Sequence, residues 1–312
     1  MSEKIYTTIE QQKDTYLHHC LCTKRLADLT VSAYEIDLSQ FLDFLKVHHP
    51  DKRCGTTITK AVLQEYILIL NDDYKVPTVK RKVASLKGFF NWLVDEEIID
   101  TTPFLQIHLH IKEPKRLPEV LTFREMNRVL KAAYNDTAAT SDLLYYRDIA
   151  ILEVLFETGL RVHELCNLKY ADCDFRSHTF RIIGKGNKER KVYLTNPESV
   201  SAFDNYIKTV RKYHIKNEYI FLSKYSKPLS TQAVRNVVSK YTKLARINRH
   251  ITPHAFRHTF ASLLLDSGVD LRFIQEFLGH SSITTTQIYL HLRESTSKRI
   301  LKEKHPRKKM KI

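Results

Sequence analysis

The chain has 312 residues, enough for two domains that each bury a core, and its 43 % hydrophobic and 27 % charged content is that of a folded globular protein. A formal charge of +15 points to a polyanionic partner, most simply nucleic acid. No apolar run is long enough to span a bilayer, the amino end MSEKIYTTIEQQ has no signal-peptide core, and the five scattered cysteines form no CxxC pair, so no membrane association and a cytoplasmic protein with reduced thiols are expected.

In chain order, helices are expected over about 7–21, 30–47, 59–71 and 77–94. In the last of these Val79, Val83, Leu86, Phe90 and Leu93 form one apolar stripe. Its first half carries Lys75, Lys80, Arg81, Lys82 and Lys87, a basic face that suits DNA phosphates or is simply solvated. The segment IHLHIKEPKRLPEV breaks the periodicity with two prolines, which places a domain boundary at 107–118. Charge divides there too: residues 1–106 hold 13 Lys/Arg and 15 Asp/Glu, which leaves 37 and 20 for the rest.

Beyond the boundary, Thr122 and Glu125 form a capping box for a helix through Tyr134. DIAILEVLFETGLRVHELCNL reads as a buried helix, a break at Gly159 and a second helix from about Arg161. FRIIGKGNKERKVYL reads as a β-hairpin with Lys185 at its Gly-flanked tip. Helices are next expected over about 198–213, 230–246, 253–267, 270–278 and 283–300, and the chain ends in a basic tail, KEKHPRKKMKI.

The segment ITPHAFRHTFASLLLDSG concentrates polar groups at one end of one helix. Thr252 is its expected N-cap and Pro253 its first residue, while Phe256, Phe260, Leu263 and Leu264 are expected against a core. His254, Arg257 and His258 share a face. The HxxxH pair suits zinc, but Ala255 stands where a metalloprotease places its glutamate, no third ligand is evident, and Arg257 would repel a dication. The competing reading, an anion cradle at a helix N-terminus, is preferred.

Taken singly, the other candidates have ordinary readings: Arg161 as a partner of Glu157 or Glu164, Lys185 as a turn residue, His280 as a loop histidine and Tyr289 as a packed aromatic. Together, ETGLRVHELCNL, IIGKGNKERKVYL and ITPHAFRHTFASLLLDSGVDLRFIQEFLGHSSITTTQIYLHL resemble the tyrosine recombinase (lambda-integrase) family, especially its Xer-type and simple-integrase members. The resemblance spans most of residues 120–295. It implies a mainly α fold with a small β-hairpin or sheet. A SAM-like helical core-binding domain would occupy 1–106 and an α+β catalytic domain 119–296, with the basic tail at 297–312.

The resemblance also implies roles. Arg161 and Arg257 would clamp the scissile phosphate, Lys185 would protonate the 5′-oxygen leaving group, and His254 would assist proton transfer at Tyr289, the nucleophile. His280 would hydrogen-bond the phosphate, and Glu164 and His258 would support the site. The expected activity is site-specific recombination through a 3′-phosphotyrosyl intermediate and a Holliday junction, without metal or other cofactor. It would serve chromosome dimer resolution or integration and excision of a phage or mobile element, in a protein of bacterial, phage or mobile-element origin. The two domains would clamp double-stranded DNA. Four protomers, identical or paired with a paralogous recombinase, would assemble on two sites, with accessory proteins as further partners. The segment beyond about 295 matches one that docks on a neighbouring protomer. No arm-binding domain like that of large phage integrases precedes the match, which favours a simple recombinase. Two alternatives share the fold: a type IB topoisomerase-like relaxase and a catalytically inactive DNA-binding regulator.

Overall fold

The computed structural model describes residues 8–105, 107, 119–136, 141–184 and 189–279. The chain divides into two compact units, Met1–Lys115 and Arg116–Ile312.

The first unit holds four helices: α1 (Ile9–Cys22), α2 (Asp28–His48), α3 (Lys60–Asp73) and α4 (Val76–Asp95). The α4 stripe is buried as expected, with Val79, Val83, Leu86, Phe90 and Leu93 packed against Phe41, Leu63 and Tyr66. Lys82 is buried as well. It lies three residues after Val79 and therefore on the stripe itself, where its ammonium pairs with the fully buried carboxylate of Asp37 at 3.2 Å. Arg81 pairs with the other Asp37 oxygen, and the Ser85 hydroxyl donates to it at 2.7 Å.

In the second unit, α5 (Phe123–Tyr134) begins with the expected capping box, and Arg249 reaches Glu125 from outside the helix with two hydrogen bonds of 2.7 and 2.8 Å. The long buried helix α6 (Asp142–Thr158) ends at Gly159, whose φ of +61° is the left-handed cap that non-glycine residues resist. The short helix α7 (Val162–Cys166) starts directly after Arg161.

Three antiparallel strands come next, in the order β1 (Cys173–Asp174), β2 (Thr179–Ile183) and β3 (Glu189–Tyr193). Strands β2 and β3 are the expected hairpin, with Phe180 opposite Val192 and Ile182 opposite Arg190. Strand β1 was not legible, since two residues carry no alternation. Helices α8 (Pro197–Lys212), α9 (Thr231–Leu244), α10 (Pro253–Asp266) and α11 (Leu271–Leu278) complete the described unit. The helix expected over 283–300 lies outside the described residues.

Phe180, Phe203, Tyr206, Phe221, Tyr241 and Phe256 belong to the core of this unit. On one side of helix α10, Phe260 and Leu264 pack, partly buried, against a small core of Ala261, Leu265, Ile274 and Leu278, and with Leu263 they line a groove of about 1210 Å³. Phe256, as expected, and Ala261 and Leu265 are buried fully.

Candidate active site

Five of the expected catalytic and supporting residues lie among the described ones: Arg161 and Glu164 at the start of α7, and His254, Arg257 and His258 on α10. Thr252 is the N-cap of α10, although its side chain makes no capping bond, and Pro253 occupies the first turn. Arg257 is buried, 4 % exposed, yet its guanidinium is not set against apolar walls. It donates to the carbonyl of Gly159 at 2.7 Å and to that of Leu278 at 2.6 Å. Arg161 approaches the next carbonyl along, that of Gly279. Its side chain is 27 % exposed, pairs with Glu164 at 3.0 Å and makes a longer contact of 3.5 Å with the carbonyl of Gly279. Thus α10 and the α6–α7 turn deliver two permanent cations to the C-terminal end of α11.

The physical reason is the helix end itself. The last carbonyls of a helix have no intrahelical donor, and the macrodipole makes that end negative, so guanidinium groups both satisfy and neutralise it. In return, the carbonyls fix the two planar forks in position. Non-bridging phosphate oxygens match such forks, and arginine stays charged whatever the local desolvation.

Glu164 sits beneath these cations with its side chain 1 % exposed. Its Oε2 accepts the backbone N–H of Arg161 at 2.8 Å, closing the turn that starts α7. Burial opposes its charge, but the hydrogen bonds and attraction of Arg190, helped by Arg161, outweigh that and hold the carboxyl at about 2. Glu157, the other acid considered for Arg161, instead accepts the backbone N–H groups of Thr195 and Asn196 at 2.5 and 2.8 Å.

Arg190 was missed by sequence reasoning. Its guanidinium donates to both oxygens of Glu164, at 2.9 and 2.7 Å, and its Nε donates to the carbonyl of Phe277 at 3.1 Å. A signal existed: in ERKVY, Arg190 shares parity with the buried Val192, so it is a charge on the inward face of the hairpin.

His254 is exposed at the start of α10. Partial desolvation, followed by the fields of Arg257 and Arg161, lowers its pKa from 6.5, so the ring is neutral at physiological pH. His258 is more enclosed, and burial together with His254 and Arg257 lowers it to about 4. Among the described residues no group of three His, Cys, Asp or Glu side chains is arranged to hold a metal ion. Lys185, His280 and Tyr289 lie outside the described residues. Of the basic residues on α4, Lys75, Lys80 and Arg81 are exposed and Lys87 is half-buried, whereas Lys82 is turned inward to Asp37.

A helical first unit and a helical second unit with a small antiparallel sheet, whose arginines converge on a helix end, define a mainly α fold. The Phage integrase family profile matches residues 119–296, and the SAM-like N-terminal domain of phage integrases matches residues 14–97. The chain belongs to the phage integrase family, the tyrosine recombinases. It is 41 % identical to a tyrosine recombinase of Agathobacter rectalis over 94 % of this chain and 96 % of that protein. It is 34 % identical to tyrosine recombinase XerC of Pediococcus pentosaceus, over 97 % and 96 %. Among solved structures, a XerH site-specific recombinase bound to its palindromic difH substrate shares the fold, with a TM-score of 0.74 at 22 % identity over 93 % of this chain and 84 % of that one. No helix among the described residues is long and apolar enough to cross a membrane.

Proposed function

We propose that the chain is a site-specific DNA recombinase that cleaves and rejoins double-stranded DNA through a 3′-phosphotyrosyl intermediate. The convergence of Arg161 and Arg257 on adjacent carbonyls of one helix end is the observation that carries this reading. Two fixed guanidinium groups there bind the non-bridging oxygens of a scissile phosphate and stabilise the charge of its pentacovalent transition state.

Tyr289 supplies the nucleophile. Its phenol is a weak nucleophile at neutral pH, so its proton must leave as the phosphorus bond forms. His254, held neutral, assists as acceptor. Lys185 gives a proton to the departing 5′-oxygen, and His280 hydrogen-bonds the phosphate. Attack of a 5′-hydroxyl on the phosphotyrosine reverses these steps and restores the phenol, so bond energy is conserved and no ATP, metal or other cofactor enters. Exchange between two duplexes then passes through a Holliday junction.

Two sites present four strands, which calls for four protomers, identical or shared with a paralogous recombinase. The open groove beside α10, lined by Phe156, Phe260, Leu263, Leu264 and Phe277, suits the segment beyond about 295 of a neighbouring protomer. On α4, Lys75, Lys80, Arg81 and Lys87 are the candidates for phosphate contact. The identity of the curated relatives favours recombination over relaxation, in dimer resolution or in integration and excision of a mobile element.

The test is a duplex nicked beside the crossover, from which the cleaved fragment diffuses away. The chain should accumulate an SDS-resistant adduct and free a 5′-hydroxyl end, with EDTA present or absent. Binding without an adduct would identify an inactive regulator. Loss of cleavage in EDTA, restored by magnesium or zinc, would indicate a metal mechanism.

A further inference from the structure

Arg190 is a part-buried charged group of this site to which the recombination mechanism gives no task. It stands on β3, a different element from those that present Arg161 and Arg257, and its side chain is 10 % exposed. Its fork is committed on two sides. Two donors go to the carboxylate of Glu164 and one, from Nε, to the carbonyl of Phe277.

The consequence is a three-point grip on α11. Arg190 takes the carbonyl of Phe277, Arg257 that of Leu278 and Arg161 approaches that of Gly279, three consecutive residues. In sequence, the next residue is His280. Gly279 is shaped for this arrangement. Its φ is +61°, and a Cβ there would lie 2.9 Å from Arg190 Cδ and 3.0 Å from its Nη1. A side chain at 279 would therefore crowd Arg190 and would also have to adopt a backbone conformation that favours glycine.

Through Glu164, Arg190 also reaches the phosphate side. The same carboxylate that receives the Arg190 fork accepts both the backbone N–H and the guanidinium of Arg161. Rotation of Glu164 would displace Arg161, and movement of the α11 end would carry Gly279 with it.

We propose that Arg190 is a positioning residue of the recombination chemistry, locking Glu164 and the end of α11 into one body so that the Arg161 fork and the Leu278 and Gly279 carbonyls stay in register. It touches no substrate. Resting on the recombinase reading, the proposal predicts an effect on the cleavage step that exceeds any effect on DNA affinity, because small misplacement of a reacting group can cost about 10²-fold in rate.

The experiment uses the full chain and the nicked duplex, with cleavage measured in single turnover at saturating protein, affinity by gel shift and folding by thermal melting. Arg190→Lys keeps a cation beside Glu164 but cannot bridge to Phe277, and should bind DNA within about threefold of the wild type while cleaving about 10²-fold more slowly. Arg190→Met paired with Glu164→Gln removes the fork without leaving a buried charge, and should likewise bind but cleave at least about tenfold more slowly.

Wild-type cleavage by either variant would overturn the proposal, since charge neutralisation alone would then explain Arg190. Loss of folding by Arg190→Lys, or equal losses of affinity and cleavage, would also overturn it by making the residue purely structural. Absence of an adduct from the wild type would instead count against the recombinase reading itself.

Discussion

The guanidinium of Arg257 donates to the Gly159 carbonyl at 2.7 Å, so the helix that carries one of the two proposed phosphate-binding arginines is tied to the turn that delivers the other. Gly159 combines a φ of +61° with close packing, since a Cβ there would lie 2.6 Å from Phe260 Cδ1 and 3.0 Å from Leu278 Cδ2. Gly159→Ala should therefore lower stability by about 1–3 kcal/mol and depress DNA cleavage further than melting alone explains. Thermal melting beside adduct yield checks both effects.

Arg257→Lys tests the fork directly. A lysine ammonium cannot span the carbonyls of Gly159 and Leu278 and also present a planar pair of donors. Cleavage should fall about 10²–10³-fold, as for loss of a transition-state donor, with DNA affinity changed far less. Single-turnover rates at saturating protein distinguish the two.

His258 gives the fold a pH dependence of defined sign. Its folded pKa of about 4 lies below its ordinary 6.5, so the unfolded chain binds the proton first as pH falls. Its contribution to stability is complete above about 6.5 and is lost as pH drops towards about 4. His258→Gln should make that part of the curve of melting temperature against pH shallower, leaving the contribution of His254, whose pKa is lowered too, and the acid limb due to carboxylates such as Glu164, which lies lower still.

On α4 two lysines two residues apart should behave oppositely. Lys82→Met takes one partner from the buried Asp37 and should destabilise the first unit by about 1–3 kcal/mol, Arg81 and Ser85 retaining part of the pairing. Lys80→Ala, at an exposed position, should melt closer to the wild type than Lys82→Met and reduce the salt slope of DNA binding by about one. Melting curves and salt-titrated gel shifts separate them.

Much of this was legible because periodicity and caps act locally. The α4 stripe, the Thr122–Glu125 box and the hairpin alternation each arise from a few adjacent residues. The position of Arg161 at a helix start and of Arg257 one turn into α10 could be read the same way. That Lys82 turns inward was written in its spacing from Val79, but charge composition masked it. Arg190 was hidden for a different reason: its partners Glu164 and Phe277 are 26 and 87 residues away in sequence, and no local pattern reports such pairings. The partial exposure of Phe260 and Leu264 depends on what packs around α10, which periodicity does not specify.

The covalent link is the centre of the account, and Tyr289→Phe tests it most directly. With the nicked duplex, wild type should yield an SDS-resistant complex whose DNA-bound peptide contains Tyr289, and the phenylalanine variant should bind the same duplex and yield none. A covalent complex formed by that variant, or a wild-type adduct mapped to another side chain, would contradict the account.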